Sequence, residues 1–157
     1  MKKYIVIAIC ILTMMLSGCN MNKSGDKNAN VGDKVESEGE SINNSEAMKF
    51  VRATNKSLTV TIVNDSPAVW QSGNMKDYEL QVMKDGEWYK VEQTGEFANT
   101  MELIGLRPGE QKTHTFEFED RYGILPSGKY RVVKRWWANA TATTEKGEVV
   151  TVCEFDV

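Results

Sequence analysis

The sequence predicts an all-β fold, an antiparallel sandwich of about seven strands that occupies residues 49–157. Apolar and polar residues alternate with period two in short runs, which is typical of strands that bury one face. Clusters of Pro, Gly, Asn and Asp separate these runs at short, regular intervals. After residue 48 the sequence contains no helical period of useful length.

The first predicted strand covers residues 58–62, where Leu58, Val60 and Ile62 alternate with threonines and share one face. Alternation of this kind with β-branched residues favours a half-buried strand. The strand is predicted to end at the turn cluster Asn-Asp-Ser-Pro, residues 64–67.

Two further strands are predicted to form a hairpin around Asp85-Gly86. A two-residue type I′ turn needs positive φ at both central positions, which Asp-Gly tolerates well. The turn sets a register in which Val82 faces Tyr89 toward the core. Met83 and Trp88 then pair on the opposite face, near the hairpin tip.

Three strands are predicted in the second half of the chain. Phe116 and Phe118 point inward in the alternating segment 113–119. A Leu-Pro-Ser-Gly turn precedes a strand at residues 130–137, and the last strand covers residues 149–157.

Residues 1–18 have the order of a secretory signal peptide, because Lys2 and Lys3 precede an apolar run that ends in small residues. The run is too short to span a hydrocarbon core of about 30 Å comfortably, although an uncleaved membrane anchor is the alternative. The Leu-Ser-Gly-Cys segment that ends at Cys19 resembles the bacterial lipobox. The resemblance implies cleavage before Cys19 and a diacylglycerol on its thiol.

Residues 19–48 are predicted to be a lipid-anchored, flexible and disordered linker. Asn, Ser, Gly, Lys, Asp and Glu dominate this segment, which contains no aromatic residue. Such a composition buries too little apolar surface to offset the entropy lost on ordering. An ordered extension packed on the domain is the alternative.

Charge and cysteine usage exclude several classes of protein. Removal of residues 1–18 takes away two of the 19 basic residues and none of the 22 acidic ones, which leaves a net charge of −5. An acidic domain of this kind is a poor candidate for binding nucleic acid. Cys10 leaves with the signal peptide and Cys19 carries the lipid, so Cys153 has no partner for an intramolecular disulfide.

A family resemblance is carried by the segment 125–134, Leu-Pro-Ser-Gly-Lys-Tyr-Arg-Val-Val-Lys. The hairpin at residues 78–91, the Tyr-Gly-Ile-Leu-Pro segment that begins at Tyr122 and the closing Glu-Phe-Asp-Val extend it. Together they resemble the bacterial immunoglobulin-like domain at the C-terminal end of Gram-positive lipoproteins. The resemblance implies an immunoglobulin-like sandwich without catalytic residues, in which the Tyr130 hydroxyl turns back to nearby backbone.

Few residues of the chain are candidates for a catalytic or metal-binding site. His114 is the sole histidine and shares parity with Phe116, so a partly buried structural histidine is favoured over a general base or a metal ligand. The acidic residues 117, 119 and 120 match no calcium loop and favour a solvated strand face. Cys153 shares parity with Phe155, which predicts a buried thiol. We therefore predict no enzymatic activity, no metal and no cofactor.

A binding face is predicted on the strand 130–137. If Tyr130 faces inward, then Arg131, Arg135 and Trp137 share the outer face. Arginine beside tryptophan can stack, and the pair can engage a carbohydrate ring or an aromatic residue of a partner. The alternative is that Trp136 or Trp137 covers the edge of the sandwich.

The sequence therefore predicts a lipoprotein on the outer face of the cell membrane, where the lipid attached to Cys19 anchors it. Its domain is expected to bind a protein or an envelope polymer without catalysis. One alternative is a structural envelope module without a defined ligand. Another is a proteinase inhibitor, and residues 71–77 and 139–147 are the candidates for its protruding loop.

Overall fold

The computed structural model describes residues 29–36, 42–43, 45–94, 102–139 and 147–157. Within these ranges eleven strands form two sheets, with a 3-10 helix at Ser45–Ala47 and a single helical turn, α1, at Glu119–Tyr122. The strands, in chain order, are β1 Val31–Lys34, β2 Ile42–Asn43, β3 Met48–Ala53, β4 Ser57–Val63, β5 Trp70–Ser72, β6 Glu79–Lys84, β7 Glu87–Val91, β8 Ile104–Leu106, β9 Gln111–Glu117, β10 Lys129–Ala138 and β11 Gly147–Asp156.

The larger sheet has eight strands and is organised around β10. Its main path runs β1-β7-β6-β10-β11-β2, and β5 joins both β10 and β8. The first half of β10 pairs with β6, and its end pairs with β5 through Trp137 and Ala138. The smaller sheet has the order β3-β4-β9. The predicted sandwich of mostly antiparallel strands is confirmed, with more strands than were expected and with one parallel pair, β2 and β11.

The core lies between the inner faces of the two sheets. Leu58, Val60 and Ile62 of β4 are buried, as their alternation predicts, and Phe116 of β9 pairs with Leu58 beside them. Each such side chain contributes about 1.5–3 kcal/mol when it is fully buried. Phe118, which follows β9, stacks on Phe155 of β11 with 5.6 Å between ring centroids, so it joins the two sheets.

The predicted hairpin turn is also confirmed. Asp85 has φ 53° and Gly86 has φ 82°, the left-handed conformation that a type I′ turn requires. The register pairs Val82 with Tyr89 and Met83 with Trp88. A local dipeptide therefore sets the alignment of β6 and β7.

Tyr130 has the structural role that the sequence predicts. Its hydroxyl donates a hydrogen bond of 2.9 Å to the backbone oxygen of Pro126, four residues earlier. Gly128 lies against the ring, and a Cβ at this position would stand 3.4 Å from it, in van der Waals contact. The contact fixes the turn that leads into β10, and so it fixes where the outer face of β10 begins.

The prediction of a flexible linker over residues 19–48 is wrong for the part of it that the structure describes. Val31 and Lys34 pair with β7, and Ala47 and Met48 are buried in the core. Main-chain hydrogen bonds to an open sheet edge need no apolar side chains, so the polar composition does not prevent the pairing. Residues 1–28, which include the predicted signal peptide and Cys19, lie outside the described ranges. Within those ranges no helix is long and apolar enough to cross a membrane.

Candidate binding site

The two tryptophans of β10 point to opposite sides of the larger sheet. Trp136 is buried, and its indole N–H donates a hydrogen bond of 3.1 Å to Thr151 Oγ1. Trp137 is 54% exposed and lies on the outer face. Successive residues of a strand alternate between faces, so the predicted inward position of Tyr130 leads to this arrangement. Trp136 is therefore a core residue, and Trp137 is a surface residue.

Four polar residues surround the position of Trp137 on the sheet. Gln71 of β5 and Glu148 of β11 are its direct partners on the two neighbouring strands. Arg135 and Asn139 precede and follow it by two residues along the chain. Main-chain pairing of three strands holds these positions, so their spacing is set before any ligand arrives.

A depression of about 490 Å³ opens at this point on the surface. We call it the Trp137 groove, and its lining combines the surroundings of Trp137 with residues of two other segments. The lining residues are Gln71, Ser72, Gly73, Asp77, Leu103, Arg135, Trp137, Asn139 and Glu148. Sites for small ligands commonly have volumes of about 300–1,000 Å³, so the Trp137 groove has a suitable size.

Lys134 holds one wall of the Trp137 groove from inside the protein. Its side chain is fully buried, and Nζ donates hydrogen bonds to Ser72 Oγ at 2.5 Å, to the Asn74 backbone oxygen at 2.8 Å and to the Asp77 backbone oxygen at 2.6 Å. Burial lowers the pKa of Lys134 to about 8. Lysine is rarely buried without such partners. No sequence motif marks this residue as functional, although its parity with Tyr130 indicates that it points inward.

The structure divides the predicted binding face into two parts. Arg135 and Trp137 both line the groove, and Arg135 Nη1 lies 3.3 Å from Glu148 Oε2. Arg131 contributes to a separate cluster, in which its Nε donates to Gln81 Oε1 at 2.6 Å. Its guanidinium carbon also lies 4.3 Å from the centre of the Trp88 ring. Arg131 therefore stabilises the sheet surface beside β6 and does not line the groove.

The comparison with protein families assigns the fold. A family model described as bacterial Ig-like domain matches residues 39–149. The chain belongs to this family. Bacterial Ig-like domains are typically non-catalytic, and the match therefore indicates a non-catalytic extracellular domain. It confirms the resemblance seen in the sequence, whereas the lipobox and the Gram-positive context stay predictions. A search of the curated proteins found none that matches the chain.

In this bacterial Ig-like domain, His114 and Cys153 lie in environments that favour a structural role over a chemical one. His114 is half-buried against Phe116, and burial together with Lys112 and Lys134 lowers the pKa of His114 to about 4. Cys153 is buried as predicted, and burial raises the pKa of its thiol to about 11. In the described part of the Ig-like domain no three His, Cys, Asp or Glu side chains gather closely enough to hold a metal ion. Glu119 of the acidic cluster instead pairs with Lys56 at 2.9 Å.

Residues 71–77, one of the two candidates for the protruding loop of a proteinase inhibitor, do not protrude from the domain. Ser72, Asn74 and Met75 of this Ig-like domain are buried, and Lys134 draws the segment inward. An inhibitor must present an extended, accessible loop to a protease cleft, so this segment is unsuited to that role. The other candidate loop falls largely on residues 140–146, which lie outside the described ranges.

Proposed function

We propose that this protein is an extracytoplasmic lipoprotein, anchored through Cys19, whose Ig-like domain binds a partner without catalysis through the Trp137 groove. The Leu-Ser-Gly-Cys segment supports the anchor. The observation that carries the binding role is the exposed indole of Trp137 beside Arg135. Trp137 leaves more than half of its surface in contact with solvent, and Trp and Arg dominate the energetics of binding surfaces.

The rigidity of the groove supports the same role. Five of its nine lining residues lie on β5, β10 and β11, which are joined by main-chain hydrogen bonds, and Lys134 fixes the segment that follows β5. A preformed site loses little conformational entropy when a ligand binds. The domain would therefore bind its partner without rearranging its strands.

The anchor leads to a first prediction. Cys19→Ala is expected to move the protein from the membrane fraction to the soluble fraction or to leave it without acyl label, because a diacylglycerol contributes about 0.8 kcal/mol per buried methylene. Fractionation and mass spectrometry of the N-terminal peptide measure the change. Cys153→Ala is the matched control, since this thiol is buried in the core of the domain, and it should leave the protein in the membrane. Acyl labelling that persists in Cys19→Ala contradicts the anchor.

The groove leads to a second prediction. The double variant Trp137→Ala, Arg135→Ala is expected to bind isolated envelope fragments about tenfold more weakly, because it removes the two anchor side chains. Sedimentation with these fragments measures the loss, and the full chain is used in a Cys19→Ala background so that no lipid inserts into the fragments. The fragments contain both the proteins and the polymers of the envelope.

Phe50→Ala is the matched control for that measurement. Phe50 is 55% exposed on β3 of the smaller sheet, so its removal should not affect binding. The melting temperature of the double variant should stay within about 2 °C of the original, because both side chains lie on the surface. Equal binding by the double variant and the unchanged chain contradicts the groove as the binding site and favours a structural module.

A further inference from the structure

We propose that the Trp137 groove binds an uncharged carbohydrate chain, with one sugar ring stacked on the indole of Trp137. The inference rests on the proposed function and names the ligand class for the same site. A pyranose ring has one face of polarised C–H groups and a rim of hydroxyls. The C–H face is attracted to the electron-rich face of an aromatic ring, while the hydroxyls need hydrogen-bond partners around it.

The surroundings of Trp137 match both requirements. An amide, a carboxylate, a guanidinium and a second amide stand on its four sides, contributed by Gln71, Glu148, Arg135 and Asn139. Planar groups of this kind supply both donors and acceptors, and a hydroxyl can use either. A ligand with hydroxyls around a flat apolar face would therefore satisfy the indole and its rim together.

The apolar surface of the groove is too small to favour a protein partner. Trp137 and the 81% exposed Leu103 are its large apolar lining residues, and most of the other lining residues are polar or charged. A stable protein interface buries about 800 Å² on each partner and has an apolar core. A groove built from one indole and one leucine fits a narrow, hydroxylated chain better.

The charges of the groove favour a neutral ligand over an anionic one. Among the described lining residues, Asp77 and Glu148 contribute two carboxylates, and Arg135 contributes a guanidinium that already lies 3.3 Å from Glu148 Oε2. The two carboxylates would repel a phosphate-bearing polymer, because the ammonium of Lys134 is buried behind the wall and the guanidinium of Arg135 already faces Glu148. An uncharged chain of hexose or N-acetylhexosamine units carries no such penalty.

The test uses the full chain, purified in detergent, on an array of neutral hexose and N-acetylhexosamine oligosaccharides, with polyglycerol phosphate as the anionic probe. Calorimetric titration then gives the affinity for the strongest array ligand. We expect Trp137→Ala to weaken that affinity at least about tenfold and Trp137→Phe to weaken it much less, because Phe retains a stacking face. Phe50→Ala should bind as the unchanged chain does.

Three results would overturn the inference: no neutral glycan bound at about 10 mM, preferential binding of polyglycerol phosphate, or equal losses in Trp137→Ala and Trp137→Phe. The envelope sedimentation experiment separates this failure from failure of the proposed function. If no glycan binds but retention on envelope fragments still depends on Trp137 and Arg135, the ligand class is wrong and the groove remains the binding site. If retention is independent of both residues, the proposed function itself fails.

Discussion

Replacement of Lys134 by Met is expected to lower the free energy of unfolding by about 3 kcal/mol at pH 7. Methionine fills a similar volume but donates no hydrogen bonds. The ammonium group now donates a hydrogen bond to Ser72 Oγ and to the backbone oxygens of Asn74 and Asp77, and each of these acceptors would lose that bond. Buried acceptors left without a donor cost about 1–3 kcal/mol each, and removal of the buried charge returns part of this cost. Urea unfolding followed by tryptophan fluorescence measures the difference.

The effect of Lys134 should also depend on pH in one direction. The pKa of Lys134 is lowered to about 8 in the folded protein, while the unfolded chain retains the ordinary value of 10.5. Between these two values the unfolded state binds one more proton than the folded state, so rising pH favours the folded state. The gap in unfolding free energy between the original protein and Lys134→Met should therefore widen from pH 8 to pH 10.5, by a few kcal/mol at most.

Lys129→Met is the matched control for both measurements. Lys129 lies on the same strand, but its ammonium is exposed and pairs with Glu154 at 2.7 Å. Exposed pairs contribute about 0–1 kcal/mol, so this variant should change stability little at any pH. Equal stability of Lys134→Met and the original protein at pH 7, or a gap that narrows above pH 8, would contradict the role assigned to Lys134.

The substitution Asn64→Asp is expected to cost about 3 kcal/mol or more at neutral pH, although it changes a single atom of the side chain. Asn64 is fully buried, and its Nδ2 donates to the backbone oxygens of Ala68 at 2.7 Å and Leu106 at 2.8 Å. Its Oδ1 accepts hydrogen bonds from Ser66 N at 3.0 Å and Ser66 Oγ at 2.7 Å. A carboxylate would place a buried negative charge against two carbonyl oxygens.

The pH dependence of the Asn64→Asp variant provides an internal check. Burial and the two carbonyls raise the pKa of the introduced carboxyl, so the folded variant should gain stability relative to the original protein as the pH falls toward 5. Asn55→Asp, at an exposed turn position, is the control and should change stability by less than about 0.5 kcal/mol. If both aspartate variants unfold at the same urea concentration, Asn64 does not join its turn to β8.

Much of the fold was predictable because the signals are local. The alternation of Leu58, Val60 and Ile62 identifies the buried face of β4, and Asp85-Gly86 sets the register of the hairpin. The same approach was wrong for Val31–Lys34, which was predicted to be part of a flexible linker. Its strand depends on main-chain pairing with β7, and a composition rule for side chains does not detect such pairing.

The candidate site was predictable only in part. Strand parity correctly places Arg135 and Trp137 on one outer face, and it also places Arg131 there. Parity does not reveal that Arg131 contacts Trp88 and Gln81 instead of the groove. Leu103 and Asp77 also line the groove, but both come from segments distant in sequence and carry no local signal.

Local sequence patterns identified β4, β6, β7, β9, β10 and β11, together with inward-facing residues and turns between strands, because period and turn chemistry act over a few residues. Only the tertiary structure decided which strands stand beside β10, and hence which side chains surround Trp137. It also decided that Lys134 is a buried clamp, because its three acceptors meet only when the segment after β5 folds against β10. Hydrogen bonds between distant segments depend on the assembled sheets, and no local pattern encodes them.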